Sequence, residues 1–158
     1  GPLTNPAGAN MELMGVYDEA LVEPLARVLA NLGVKKAMVV YGQDGLDEIS
    51  MSAPTTVCEV KDGGFLSYVI TPEQFGFTRC SKDELIGGSP QDNAQIALAI
   101  LKGEKGPRRD AVVLNSAAAI HIAKGISIED AIREAQEVID SGKALAQLEQ
   151  FAALTNQE

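Results

Sequence analysis

The chain has 158 residues, of which 46% are hydrophobic and 22% charged, a balance typical of one soluble globular domain. Its formal net charge of −9 argues against a nonspecific nucleic-acid partner, because phosphate binding normally needs a basic face. No apolar run is long enough to span a bilayer, so we expect no membrane partner.

The N-terminal part of the chain predicts a loop followed by a helix. Residues 1–8 contain two prolines and two glycines, which is typical of irregular structure. From Asp18 to Leu32, leucine and valine residues recur three or four positions apart, which predicts a helix capped by Asp18 and stopped by Gly33. Pro24 favours a later start or a kink.

Strands follow in the middle of the chain. The short apolar run 37–41 predicts a buried parallel strand. Residues 55–60 and 65–70 predict two strands joined by a tight turn at 61–64, where glycines follow an aspartate. Residues 72–88 are predicted to be mostly irregular.

Helices are predicted to close the chain. Periodic apolar residues predict one helix over about 91–102 and another over about 110–124. The second is apolar nearly all round, so we expect it in the interior. A capping pattern opens a last helical region over 127–154, with a break at 141–142. The mixture of strands and helices predicts one α/β domain over 1–158.

The acidic segment from Asp44 to Glu48 is the strongest candidate for chemistry. It holds three carboxylates directly after the strand predicted at 37–41. Ligands of α/β sheets gather at the carboxyl ends of strands, and adjacent carboxylates supply the hard oxygen ligands that Mg²⁺ prefers. A metal bound there would offset the charge of a small anionic substrate. The segment therefore predicts either a magnesium site or a solvated acidic turn.

The remaining polar candidates favour structural roles. His121, the single histidine, lies in an apolar helix with no partner visible in the sequence. Asn115 lies in the same helix, where its amide must find a hydrogen-bond partner. Arg108 and Arg109 precede that helix and are interpreted as a surface pair rather than as phosphate ligands.

The two cysteines, Cys58 and Cys80, have neither metal-ligand spacing nor a disulfide framework. We expect free thiols in a reducing compartment, the cytoplasm, with a single disulfide as the alternative. Neither thiol has a recognisable activating neighbour, and no P-loop, dinucleotide fingerprint or Ser-His-Asp order occurs. The sequence therefore assigns no catalytic side chain.

Several segments spread over the whole chain form a recognisable pattern. In order they are GPLTNPAGA, MGVYDEALVEPLARVLANLG, VVYGQDGLDEIS, PEQFG, DNAQIALAILKG, DAVVLNSAAAIHIA and AIREAQEVIDSGKALAQLEQF. Together they resemble the C-terminal part of the anthranilate phosphoribosyltransferase family, and the combination of GPLTNP with DGLDE is highly specific. The resemblance implies an α/β fold, the C-terminal portion of the phosphoribosyltransferase/nucleoside phosphorylase catalytic domain, with a mixed sheet flanked by helices.

The resemblance also implies an activity, namely transfer of a phosphoribosyl group from phosphoribosyl pyrophosphate (PRPP) to anthranilate in tryptophan biosynthesis, with Mg²⁺ as cofactor. In the family the second Asp and the Glu of DGLDE bind magnesium, which implies that role for Asp47 and Glu48. The Gly-Pro of GPLTNP borders the anthranilate pocket, which implies substrate binding by Gly1 and Pro2. Tyr41 stands where a histidine is common, and we expect no loss of function from it.

Other family segments are not found among the 158 residues. The resemblance places a GTGGD-type phosphate loop, a KHGNR segment and an arginine that meets anthranilate upstream. It also implies a homodimer for the intact enzyme, formed largely through an upstream helical domain. We therefore expect little or no transferase activity from this chain alone, and unpaired strand edges. A pyrimidine nucleoside phosphorylase, which shares the fold, and a non-catalytic interaction domain are the alternatives.

Overall fold

The computed structural model describes residues 2–156 and folds them into a four-stranded mixed sheet with five α-helices. The strands are β1 (Met11–Gly15), β2 (Lys36–Gly42), β3 (Thr55–Lys61) and β4 (Gly64–Ile70). The helices are α1 (Val22–Asn31), α2 (Pro90–Leu101), α3 (Pro107–Lys124), α4 (Ile128–Asp140) and α5 (Lys143–Thr155). This confirms the α/β class with a mixed sheet that the sequence predicts.

The sheet follows chain order, β1-β2-β3-β4. β1 and β2 are parallel and are connected through α1, whereas β2–β3 and β3–β4 pair antiparallel. The predicted buried strand at 37–41 is confirmed, although β2 is parallel to its neighbour on one side only. β1 is an element that the sequence did not predict, because Met-Glu-Leu-Met-Gly contains no β-branched or aromatic residue to mark a strand.

The predicted hairpin is confirmed, and its turn has a local cause. Asp62 and Gly63 have φ angles of 51° and 77°, so both central residues are left-handed. That geometry matches the twist of the two strands it joins, and Asp-Gly adopts it at little cost. β4 remains at the edge of the sheet, with strand partners on one side only among the described residues.

α1 begins later than the first periodic residue. Asp18 accepts a hydrogen bond from the backbone N–H of Ala20 and so caps a short 3₁₀ turn, Glu19–Leu21, and the α-helix starts at Val22. Pro24 therefore falls in the first helical turn, where its missing N–H is not needed. The α-helix thus starts later than Asp18, which is the alternative that Pro24 favoured, and Gly33 ends the helix as predicted, with φ 93°.

α3 begins at Pro107, three residues before the predicted start at 110. Its first turn contains Arg108 and Arg109, and the interpretation of these residues as a surface pair is wrong for Arg109, which is only 4% exposed. The Arg109 guanidinium donates to a carboxylate oxygen of Asp140 at 2.7 Å, which joins the start of α3 to the end of α4. The aliphatic stem is buried while the charge is paired.

Two apolar clusters cover the two faces of the sheet. α1 packs on one face against residues that include Val39 and Val60. α3 and α4 pack on the other face against residues that include Met38 and Val57. The expected interior position of α3 is confirmed for one side of the helix; its opposite side includes Val112, which is 39% exposed.

The remaining helices agree with the sequence. α2 is capped by Ser89, and α4 and α5 are separated by a break at 141–142 as predicted. Within residues 2–156 no single helix is both long enough and apolar enough to cross a membrane. Only α3 and α4 taken together reach the necessary length and apolar composition, and these two helices are bent by 116° relative to each other.

The packing of α3 against the sheet predicts a stability difference between two of its residues. Leu114 is 1% exposed in the larger cluster, so we expect Leu114→Ala to lower the free energy of unfolding by about 2–5 kcal/mol. Equilibrium unfolding in urea, followed by circular dichroism, measures this loss.

Val112→Ala on the same helix is the control. Because Val112 is 39% exposed, the expected loss is below about 1 kcal/mol. Equal losses for the two variants would contradict the assignment of the buried side of α3.

Candidate functional site

The acidic segment, residues 44–48, turns back sharply where β2 ends. The N–H of Gly42 donates to the carbonyl of Leu46 at 2.8 Å, and the N–H of Gly45 donates to the carbonyl of Gly42 at 2.8 Å. Gly45 has a φ of 87°, which favours glycine at this position. The segment is therefore a tight, internally bonded turn at the carboxyl end of β2.

The end of β1 lies against the same turn. Gly15, the last residue of β1, has no room for a side chain, because a Cβ there would lie 1.5 Å from the carbonyl oxygen of Asp47. The carboxyl ends of two parallel strands thus meet at the acidic segment. This is the edge of an α/β sheet where ligands bind most often.

Asn115 fixes the far end of the segment. Its side-chain amide donates to the carbonyl of Ile49 at 2.9 Å and accepts from the N–H of Ile49 at 2.9 Å. It also donates to the carbonyl of Ala111 at 3.0 Å, within α3. The predicted structural role of Asn115 is therefore confirmed, and its partner is the exit of the acidic segment, which the sequence did not reveal.

Asp44 is less exposed than the other two carboxylates of the segment, and its side chain is hydrogen-bonded within the fold. One of its oxygens accepts hydrogen bonds from the hydroxyls of Ser50, at 2.9 Å, and Ser52. Its carbonyl accepts from the ammonium group of Lys82 at 2.8 Å. Burial alone would raise the pKa of Asp44, but the hydrogen bonds from Ser52 and Ser50 outweigh it and hold the pKa below its ordinary value.

The two predicted metal ligands, Asp47 and Glu48, are adjacent and exposed. Partial burial raises the pKa of Glu48, and the charges of Asp47 and Asp44 raise it further. Crowded carboxylates of this kind offer hard oxygen ligands, and a divalent cation would relieve their repulsion, so the residues fit Mg²⁺. Across residues 2–156, no three His, Cys, Asp or Glu side chains converge as a complete metal site.

A cleft of about 810 Å³ opens beside Glu48. Leu46, Glu48 and Lys82 form one side, and apolar side chains of α2 and α3, including Ile96 and Val112, form the other. Mg²⁺ usually retains water and borrows oxygens from a bound phosphate. An incomplete set of protein ligands at the mouth of a cleft suits that mode of binding.

The other sequence candidates lie elsewhere. His121 contacts the carbonyl of Ile126, and its second ring nitrogen lies 3.3 Å from a carboxylate oxygen of Glu59. The Tyr68 hydroxyl donates to the other oxygen of Glu59 at 2.9 Å, so the histidine belongs to a partly buried structural network, as predicted. Both cysteines are free, as predicted.

The predicted substrate-binding pair is at the N-terminus of the chain. Gly1 lies outside the described residues, and Pro2 is described only through its backbone, in the 3₁₀ turn Pro2–Thr4. The role of Gly1 and Pro2 at an anthranilate pocket therefore stays a prediction.

Comparison with known proteins identifies relatives along nearly the whole chain. Residues 1–145 match the glycosyl transferase family, a/b domain. The anthranilate phosphoribosyltransferase of Methanobrevibacter smithii is 62% identical over 157 residues, which cover 99% of this chain and 47% of that protein. The same-named protein of Lachnoclostridium phytofermentans is 57% identical, with 99% and 47% covered. The chain thus spans about half the length of the curated relatives it matches.

Solved structures agree with this resemblance. Anthranilate phosphoribosyltransferase from Thermus thermophilus superposes with a TM-score of 0.88 at 40% identity, covering 97% of this chain and 45% of that one. The Saccharomyces cerevisiae protein in complex with PRPP and Mg superposes with a TM-score of 0.87 at 29% identity, covering 96% and 44%. These matches confirm the predicted fold as a portion of that larger α/β architecture.

The close approach of β1 to the acidic segment yields a prediction. A Cβ in Gly15→Ala would collide with the backbone of Asp47, so the segment must shift and its hydrogen bonds must weaken. We expect the amide of Ile49 to exchange with deuterium about tenfold faster, as measured by hydrogen-exchange mass spectrometry.

Gly64→Ala in β4 serves as the control, because its Cβ would come no closer than 3.4 Å to the carbonyl of Lys61. Unchanged exchange of the Ile49 amide in Gly15→Ala would show that β1 does not constrain the segment.

Proposed function

The chain belongs to the glycosyl transferase family through its a/b domain, and on that premise we propose that the polypeptide containing it transfers the phosphoribosyl group of PRPP to anthranilate, with release of pyrophosphate. The observation that carries this proposal is the 62% identity to a protein named for that reaction, over 157 residues that include the acidic segment. The acidic segment lies at the carboxyl ends of β1 and β2, where ligands of α/β sheets commonly bind, and this position supports the same proposal.

We propose Asp47 and Glu48 as the residues that hold Mg²⁺. When bound, the ion supplies positive charge that stabilises pyrophosphate as it departs. The two side chains are adjacent on a turn whose two ends are held by hydrogen bonds. The backbone that carries them is therefore constrained, which keeps their carboxylate oxygens close to one another. Glu48 also lines the neighbouring cleft, where a bound phosphate could supply further oxygens to the ion.

Anthranilate is the proposed acceptor. The Saccharomyces cerevisiae relative has been solved in complex with 4-fluoroanthranilate, and it superposes on this chain with a TM-score of 0.88 at 29% identity. The family resemblance assigns contact with the acceptor to Gly1 and Pro2. No residue of this chain is proposed as the nucleophile, because the amine of anthranilate itself attacks the sugar carbon as the bond to pyrophosphate breaks.

Removal of the proposed metal ligands tests the function directly. In the full-length natural polypeptide, Asp47→Asn with Glu48→Gln should lower kcat/KM by at least about a hundredfold, because the charge on departing pyrophosphate is no longer offset. Loss of anthranilate fluorescence on addition of PRPP and Mg²⁺ measures the turnover.

Two comparisons make the assay specific. Asp62→Asn with Glu149→Gln removes the same charge from exposed positions elsewhere and should leave turnover unchanged. The 158-residue chain alone should show little or none, because the phosphate-binding segments that the resemblance implies are not in its sequence. Absence of turnover by the folded natural polypeptide would reject anthranilate as the acceptor.

A further inference from the structure

Asp44 is the carboxylate of the acidic segment that is not among the proposed metal ligands. We infer that Asp44 is a positioning residue, which holds the segment so that Asp47 and Glu48 present their oxygens together, and that Asp44 does not itself bind the metal. The catalytic consequence rests on the function proposed above. The effect on cation binding does not depend on which acceptor the enzyme uses.

The hydrogen bonds of the Asp44 side chain join the beginning of the acidic segment to residues just beyond its end. One carboxylate oxygen accepts the hydroxyls of Ser50 and Ser52, which follow the two predicted metal ligands in the chain. Ser50 is 1% exposed, and its hydroxyl oxygen also accepts the backbone N–H groups of Ser52, at 2.9 Å, and Ala53, at 3.1 Å. Asp44 is therefore bonded to a turn that is anchored by the buried side chain of Ser50.

The other oxygen of Asp44 is inaccessible to solvent. It is buried and has no hydrogen-bond partner within residues 2–156. It lies at the end of β2, where a Cβ on Gly42 would come within 2.9 Å of it. Asp47 and Glu48 are exposed by contrast, and within residues 2–156 the three carboxylates do not come together as one metal-binding group. A buried position of this kind suits a side chain that holds the segment and does not suit a ligand shared with Asp47 and Glu48.

The backbone of Asp44 is fixed as well. Its carbonyl accepts a hydrogen bond from the ammonium group of Lys82 at 2.8 Å. Asp44 also lies inside the turn that is closed by the hydrogen bond from the N–H of Gly45 to the carbonyl of Gly42 at 2.8 Å. The residues between Asp44 and Ser50 are thus closed into a loop by side-chain bonds at its base. Such closure removes conformational freedom before the cation arrives, so less is lost when it binds.

The test measures cation binding in the full-length natural polypeptide, with Mn²⁺ and inorganic pyrophosphate as the probe and electron paramagnetic resonance as the readout. Loss of a group that orients metal ligands typically weakens binding tenfold or more, so we expect Asp44→Ala to raise the Kd for Mn²⁺ about tenfold. Ser52→Ala should also raise the Kd, by about threefold, because it removes one hydrogen bond to Asp44. The double variant should be no worse than Asp44→Ala alone, because both changes break one interaction.

Asp83→Ala, at an exposed acidic position on the short 3₁₀ turn Lys82–Leu85, is the control for lost charge and should leave the Kd unchanged. Asp44→Asn retains a carbonyl oxygen for the serine hydroxyls and should recover part of the loss. If Asp44→Ala does not fold, the Kd values of Ser52→Ala and Asp44→Asn for Mn²⁺ test the inference instead. In turnover, the Mg²⁺ requirement of the variants should rise while the KM for anthranilate stays constant.

Two results would overturn the inference. If Asp44→Ala abolishes Mn²⁺ binding as completely as Asp47→Ala while Ser52→Ala has no effect, Asp44 is a ligand and not a positioning residue. If neither Asp44→Ala nor Ser52→Ala changes the Kd, the bonds across the segment do not position it. Both results are read from Mn²⁺ and pyrophosphate, so they remain decisive even if anthranilate is not turned over.

Discussion

The paired hydrogen bonds between the Asn115 amide and both backbone groups of Ile49 constrain the whole site, because they attach the acidic segment to α3. Ile49 is 1% exposed, so its N–H and carbonyl must be satisfied inside the protein. α3 is in turn packed on β1 and β2, whose ends form the other boundary of the segment. The position of the carboxylates therefore follows from the packing of the core.

This arrangement explains how a turn with three carboxylates is held in one shape. Asp44 is stabilised locally by serine hydroxyls, while Asp47 and Glu48 remain exposed and repel each other. Repulsion at a fixed turn is costly without a cation and is relieved when one binds together with a phosphate.

Elements specified by neighbouring residues were predictable from the sequence. The hairpin turn at Asp62-Gly63, the Ser127 cap of α4 and the break between α4 and α5 each depend on a few adjacent residues. Features set by distant partners were missed: β1 is defined by its pairing with β2, and the burial of Arg109 depends on Asp140, 31 positions away. The acidic segment was identified from its composition and its place after a strand.

The contact that holds the acidic segment in place was not predictable from the sequence, since Asn115 lies 66 positions from Ile49.

The most direct test of the account is a crystal structure of the full-length natural polypeptide grown with Mn²⁺ and PRPP, with anomalous scattering used to locate the metal. The account predicts an anomalous peak within about 2.5 Å of carboxylate oxygens of Asp47 and Glu48. Mn²⁺ bound to PRPP without either carboxylate, while the segment keeps its bonds to Asn115, would contradict it.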